Sequence, residues 1–340
     1  MKRKILTVII LVLAGLLSLH LREPEEFKRQ SSAMDTIISM TVYDDDKVLD
    51  DAFALLNELD NRLSMYNPSS DVSIINNTSG RQAVTVSRYT VETVSDSLRL
   101  HEITGGVFNP LIGTVTKLWK INKSGGSRPS PESLDMAVKL SDIRNLVVEG
   151  DSVFLREKGC VLDLGGIAKG YASTEIANLM KNRGVKSAII DLGGNIHTVG
   201  SKPDGSEWRI GIRNPLNPFA APALVVKVTD SAVITSGNYE RFKTIDGKKF
   251  SHFFDPATGE SVMSDLLSVT VISPDGSLAD GLATAFMITG IDKALEILRN
   301  IDNPPGVVFI TQDRITATSN LKGSVIPTKF ATPVTFAEVP

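Results

Sequence analysis

Along the 340-residue chain the spacing of apolar positions changes repeatedly, and each change predicts an element. From Met34 to Tyr43 apolar and polar residues alternate in a stretch rich in Thr, Ile, Met and Val, the pattern of a half-buried strand. Leu49, Ala52, Phe53, Leu56, Leu59, Leu63 and Tyr66 then recur at helical spacing. A second helix is predicted from the Ser87 cap through Leu100, stopping at Gly105-Gly106. A third starts at Ser130-Pro131-Glu132, with Ser130 as cap, proline in the first helical position and Glu132 at the positive end of the dipole. Leu146 to Leu155 reads as a hairpin turning at Gly150-Asp151, and Lys243 to Phe253 as another turning at Asp246-Gly247. Between and after them fall a helix from Ala168 to Arg183, buried strands at Ala188–Leu192 and Leu266–Ile272, and a helix from Leu278 to Gly290. Ser124-Gly125-Gly126-Ser127 is a surface loop, and no linker is long enough to divide the chain into independent domains. The expectation is one α+β domain, with room for two lobes.

Composition narrows the class. With 42% hydrophobic and 22% charged residues the chain is globular and can bury a large core. Thirty-six basic against thirty-nine acidic residues leave a net charge of −3, so there is no overall basic field and nucleic acid is not an expected partner. A single cysteine, Cys160, excludes an intramolecular disulfide and any multi-cysteine metal site. The four histidines, His20, His101, His197 and His252, form no HExxH pattern, which leaves an oxygen-ligated hard cation such as Mg²⁺ as the expected metal. Lys2, Arg3 and Lys4 ahead of the apolar run Ile5–Leu19 have the pattern of an export signal. No small-x-small cleavage site follows, and Leu16 stands where lipidation after Leu13-Ala14-Gly15 would need a cysteine. Residues 1–21 are therefore read as a signal peptide or uncleaved membrane anchor, and 22–33 as a linker.

Four segments are candidates for chemistry. Asp163-Leu164-Gly165-Gly166-Ile167-Ala168-Lys169-Gly170 reads as a strand-to-helix turn whose small residues could bring backbone amides to a phosphate, with Lys169 adding charge; alone, it is equally a packing turn. The glycine pair of Asp191-Leu192-Gly193-Gly194-Asn195 closes another strand and reads as a turn. His252, beside Phe253 and Phe254 in a turn punctuated by Pro256 and Gly259, suits a general base or a hydrogen-bonded structural residue. Asp280 and Thr284 stand one helical turn apart, so a carboxylate and a hydroxyl can converge on a cation, though Asp280 could equally cap a helix.

In order, these motifs resemble the ApbE family, the FAD:protein FMN transferases, from Met34 to about Val325. The resemblance also rests on Met34-Asp35-Thr36, Leu63-Ser64-Met65-Tyr66 with Asp71-Val72-Ser73-Ile74-Ile75-Asn76, Gly105-Gly106-Val107-Phe108-Asn109-Pro110, Tyr171, Trp208-Arg209-Ile210-Gly211-Ile212 and Thr235-Ser236-Gly237-Asn238-Tyr239. It implies a domain over 34–325 with a C-terminal tail over 326–340. It implies cleavage of FAD and attachment of FMN through a phosphoester to a Thr or Ser of a target protein, with release of AMP. Asp280, Thr284 and the Gly166 carbonyl are implied as ligands of Mg²⁺, and Met34, Tyr66, Val107, Phe108, Asn109, Asp163, Lys169 and Phe254 as contacts of FAD. His252 becomes the expected base. Some relatives carry an acidic residue where this chain has Ala283, a departure that favours one metal ion over two. The implied partner is a flavin-carrying subunit of an Rnf- or Nqr-type redox complex, met at the outer face of a bacterial cytoplasmic membrane to which the N-terminus attaches. The alternatives are a Mg²⁺-dependent FAD pyrophosphatase, against which Tyr66 argues, and a non-enzymatic exported flavin-binding protein.

Overall fold

Residues 25–43, 45–121, 127–217, 219–239, 241–328 and 333–340 are described by a computed structural model. The predicted signal segment and Ser124–Gly126 lie outside them. The chain opens with strands β1 (Phe27–Ala33) and β2 (Thr36–Val42), followed by helices α1 (Val48–Leu63) and α2 (Asp71–Asn77). Strand β3 (Val84–Thr85) leads to helices α3 (Arg88–Ile103), α4 (Gly113–Trp119) and α5 (Pro131–Leu140). The hairpin β4 (Leu146–Glu149) and β5 (Ser152–Leu155) precedes α6 (Ala168–Asn182). Strands β6 (Ser187–Leu192), β7 (Asn195–Gly200), β8 (Trp208–Ile212), β9 (Leu224–Val228), β10 (Ala232–Gly237), β11 (Phe242–Ile245), β12 (Lys248–Ser251) and β13 (Leu266–Ser273) lead to α7 (Gly276–Arg299). The chain closes with β14 (Gly306–Thr311), β15 (Ile315–Thr318), β16 (Val325–Pro327) and β17 (Val334–Ala337).

Nine strands form one sheet in the order β1-β2-β6-β7-β10-β13-β14-β15-β17, antiparallel except for the β15–β17 pair. Its centre is covered on both faces. Ile234, Val269, Val271, Val307 and Phe309 enter the main core with α6 and α7, while their neighbours Val233, Ile272, Val308 and Ile310 face a second core under the small sheet β8-β9-β16. Double coverage explains why Leu266–Ile272 is nearly continuous in apolar residues where a one-sided strand would alternate. A mostly antiparallel sheet with helices gathered against it is the expected α+β class.

The predicted caps are present: Ser87 accepts from Thr90 N–H, and Ser130 from Ser133 N–H, with Pro131 in the first turn. Both predicted hairpins form, the second turning through Asp246 and Gly247 at φ 49° and 76°. The helix predicted to end at Gly290 breaks there, at φ 78° and ψ 177°, then resumes to Arg299.

Four expectations need correction. The stretch 22–33 is not all linker, since Phe27–Ala33 pairs along its full length with β2; its polar side chains conceal an edge strand whose register comes from its partner. Met34 and Asp35, at φ 49° and 60°, form the intervening turn, so the strand begins at Thr36. The stretch 326–340 is not a free tail either, because Val334–Ala337 adds to the sheet beside β15. Lastly, no strand leads into Asp163: residues 160–164 belong to no strand or sheet. They are held by the Asn76 side chain, which accepts from Leu162 N–H at 2.7 Å and donates to Leu162 O at 2.9 Å, and by Asp163 N–H donating to Pro110 O at 2.8 Å.

Candidate active site

The site is built where α6 crosses α7. A Cβ on Gly170 would lie 2.6 Å from the Cβ of Asp280 and collide with the Gly276 carbonyl, so glycine is required for this approach. The approach places Gly170 N–H 2.8 Å from Asp280 Oδ2, to which it donates. Asp280 is buried, one turn inside the start of α7, whose cap is the Asp275 side chain accepting from Leu278 N–H. One turn further along α7, Thr284 meets the preceding loop: a Cβ on Gly166 would stand 3.4 Å from Thr284 Oγ1 and 3.2 Å from the Phe108 ring. Asp280, Thr284 and Gly166 are thus brought together as expected.

Their oxygens, from a carboxylate, a hydroxyl and a main-chain carbonyl, suit a hard cation. Among the described residues no three His, Cys, Asp or Glu side chains are grouped to hold a metal, so hydroxyl and carbonyl oxygens must complete any set. The residues present therefore fit Mg²⁺ better than a softer ion.

The amides of the 163–170 segment are less open to an anion than expected. Gly165 N–H donates to Asp163 Oδ1 at 2.9 Å, Ala168 N–H to Leu164 O at 2.9 Å and Gly170 N–H to Asp280. The positive end of α6 and the half-buried Lys169 remain as its cationic features.

A charged rim stands beside the crossing. Burial pushes the Asp163 carboxyl above the usual carboxylate range, against the opposing pull of Gly165 N–H, the Thr116 hydroxyl and the Arg241 and Lys117 cations. Tyr66 is 64% exposed, and partial desolvation, together with the Asp163 and Asp35 carboxylates, raises its hydroxyl while Arg241 lowers it. Burial pushes His252 down to about 4; the Arg241 carbonyl opposes this shift, whereas the Arg241 and Lys169 cations add to it. His252 is therefore a neutral imidazole at physiological pH, with Nδ1 3.0 Å from Arg241 O. The Met34-Asp35 turn joins this rim through Asp35, and Met34 N–H donates to Asp60 at 3.1 Å.

Arg241 acts on Tyr66, Asp163 and His252 together, yet sequence reasoning missed it. The signal was available. Counting outward from the Asp246-Gly247 turn pairs Phe242 with Ser251, and the next step sets Arg241 opposite His252.

Two expected FAD contacts are placed elsewhere. Phe254 is 3% exposed, stacked on Trp119 with ring centroids 5.9 Å apart, and belongs to a core cluster with Val115, Leu134 and Ala137. Its ring thus faces Trp119 and the core cluster. The same turn is tied down by Trp119 Nε1 donating to Gly259 O at 2.8 Å. Asn109 spends its amide on the fold: Nδ2 donates to Ser141 O at 2.8 Å, and Oδ1 accepts from Leu111 N–H at 2.9 Å. Phe108 is buried with its ring toward Gly166, and its carbonyl lies 2.9 Å from His101 Nδ1, while Val107 packs half-buried against the core.

Fold and site together define an α+β protein in which Asp280, Thr284 and Gly166 come together beside a charged rim. Residues 34–309 match the ApbE family, and the chain belongs to it. The FAD:protein FMN transferase of Treponema pallidum is 32% identical over 336 residues, covering 92% of this chain and 93% of its own. That of Klebsiella pneumoniae is 32% identical over 284 residues, covering 83% and 88%. Among solved structures, the flavin transferase ApbE from Vibrio cholerae superposes with a TM-score of 0.79 at 26% identity, covering 88% of this chain and 99% of the other. The flavinyl transferase ApbE of Pseudomonas stutzeri, in its apo form, gives 0.79 at 27%, covering 89% and 98%.

Proposed function

We propose that the protein is a Mg²⁺-dependent FAD:protein FMN transferase. The acceptor is a threonine or serine hydroxyl, whose oxygen bonds to the FMN-side phosphorus as the bond from that phosphorus to the bridging oxygen breaks. AMP leaves with the bridging oxygen, and the hydroxyl proton is the one left to be taken up. The observation that carries the reading is the convergence of Asp280, Thr284 and Gly166 under a rim holding a neutral histidine.

Asp280, Thr284 and the Gly166 carbonyl would hold Mg²⁺, which when bound neutralises pyrophosphate charge. The chain's own residues supply the rest. His252 Nδ1 faces the Arg241 carbonyl, an acceptor, so Nδ1 is assigned the ring proton and Nε2 the lone pair that takes the hydroxyl proton. Lys169 and Arg241 add positive charge where the phosphates lie. Tyr66, exposed at the rim, limits the access of water to the reacting phosphorus. Ala283 is fully buried, so no carboxylate stands there for a second ion.

The basic-then-apolar N-terminus supports export and attachment at the outer face of the cytoplasmic membrane, and the acceptor proposed from the family resemblance is a flavin-carrying subunit of an Rnf- or Nqr-type complex. No helix among the described residues is long and apolar enough to cross a membrane, so attachment rests on residues 1–21. The test is co-expression with candidate membrane subunits, reading flavin fluorescence on a denaturing gel beside AMP release. A fluorescent acceptor band supports the reading. AMP release without any band converts it to a pyrophosphatase, and neither signal leaves a binding protein.

A further inference from the structure

We propose that His197 is a positioning residue for Asp280, acting through the Ser173 hydroxyl and the Gly170 backbone. The inference rests on the assignment of Asp280 as a metal ligand.

His197 lies on β7, 1% exposed, between the apolar register partners Ile190 and Ala232. Its Nδ1 stands 3.1 Å from Ser173 Oγ on α6. That hydroxyl donates to Gly170 O at 2.8 Å, so its lone pairs are left to accept and Nδ1 is assigned the proton. From the same glycine, N–H donates to Asp280 Oδ2 at 2.8 Å. Three hydrogen bonds, the last two joined covalently through Gly170 Cα, thus connect the sheet to the carboxylate across the first turn of α6.

Two features set this line apart from ordinary packing. His197 Nε2 is buried without a hydrogen-bond partner among the described residues, a desolvation penalty that an apolar side chain in this slot would avoid. The imidazole's one satisfied nitrogen is the one that leads to the site. Gly170, moreover, must be glycine for α6 to approach α7, yet glycine gives the turn that aims its N–H the greatest backbone freedom. The Thr174 hydroxyl restrains it from one side, 3.2 Å from Gly170 O and accepting from Gly276 N–H at 2.9 Å. Ser173, anchored to the sheet by His197, restrains it from the other.

The test is calorimetric titration of the full chain with Mg²⁺ in the absence of FAD. His197→Leu and Ser173→Ala should each weaken Mg²⁺ binding about 10-fold, the scale of losing a partner behind a metal ligand. His197→Asn, whose amide reaches the place of Nδ1, should restore most of it. FAD affinity without metal should stay unchanged in all three, which separates positioning from general loosening. Wild-type Mg²⁺ affinity in Ser173→Ala overturns the inference, even if His197→Leu fails to fold. So does an Asn variant as weak as the Leu variant, or FAD affinity falling in parallel with Mg²⁺ affinity. A wild-type chain that binds no Mg²⁺ overturns the assignment of Asp280 and this inference with it, whereas wild-type binding with undiminished variants overturns only the role of His197.

Discussion

Where α6 crosses α7, glycines stand at the points where a Cβ would collide, and Asp280 is buried with a backbone donor fixed on it. At the rim a few residues away, Tyr66 and Arg241 are exposed, and the groups there are related by charge and not by interlocking shape. The crossing is constrained because the close approach leaves little room for another backbone arrangement, which would suit the Mg²⁺ ligands proposed for it. The rim is open, as suits a surface that receives an acceptor protein. Substitutions in the crossing should therefore abolish activity, whereas those at the rim should redirect or retune it.

The sharpest way to break this contrast is Asp280→Asn. The amide oxygen can still accept from Gly170 N–H, so the crossing stays intact, but the ligand charge is gone. FAD cleavage, measured as AMP release, should fall about 100-fold or more, with thermal unfolding little changed. An intact fold with intact activity would place the cation elsewhere.

Phe254→Ala tests whether the His252 turn is supported from below or lines the pocket. Removing a ring stacked on Trp119 should cost about 3–5 kcal/mol of stability, read from denaturant unfolding. The folded fraction should bind FAD as the wild type does. Weakened FAD affinity without lost stability would return Phe254 to the wall of the site.

How much of this could be read beforehand depended on whether the signal was local. Ser87, Ser130 and the Asp246-Gly247 turn act through their own neighbours, and they appear where the pattern put them. Asp280 and Thr284 were legible as a pair because helical spacing alone puts them on one face. Phe254 was not: an aromatic beside a histidine looks the same in sequence whether it faces a ligand or a tryptophan, and Trp119 lies 135 positions away in a different element. Asn109 failed for the same reason, since its partner Ser141 belongs to another segment. The polar strand Phe27–Ala33 has no pattern of its own and takes its register from β2. His197, an isolated histidine in sequence, acquires a role only once β7 is laid against α6.

At the rim, Tyr66→Asn should alter the ratio of two rates while leaving the crossing alone. The ring is exposed, so its loss costs little stability, and an amide in its place opens space for water near the phosphates. AMP release without acceptor should rise several-fold relative to flavin attachment, on the order of 1 kcal/mol in the balance of water and protein hydroxyl. Both activities falling together with stability would make Tyr66 a packing residue.

The smallest effect belongs to Arg241, and its sign follows from the groups around His252. His252 has an ordinary value of 6.5 and is pushed to about 4, chiefly by burial, so its base form is complete above roughly pH 5. Between those values the unfolded chain binds the extra proton and the folded one does not, so this histidine's contribution to stability is full above 6.5 and is lost as pH falls toward 4. Transfer should accordingly stay level from pH 8 to about 5 and decline below, with unfolding followed in parallel to separate protonation from loss of fold. Arg241→Met removes one of the two cations that lower His252 but keeps the backbone carbonyl that opposes them, and burial is unchanged. The acidic limb should therefore move upward, by less than about one unit, and the difference from wild type should shrink as salt screens the exposed guanidinium. A wild-type limb near 6.5 would show that His252 is not desolvated as the fold places it. A limb that stays fixed in Arg241→Met at low salt would detach the cation from the base, leaving its action on Tyr66 and Asp163 as the part of the rim that remained to be tested.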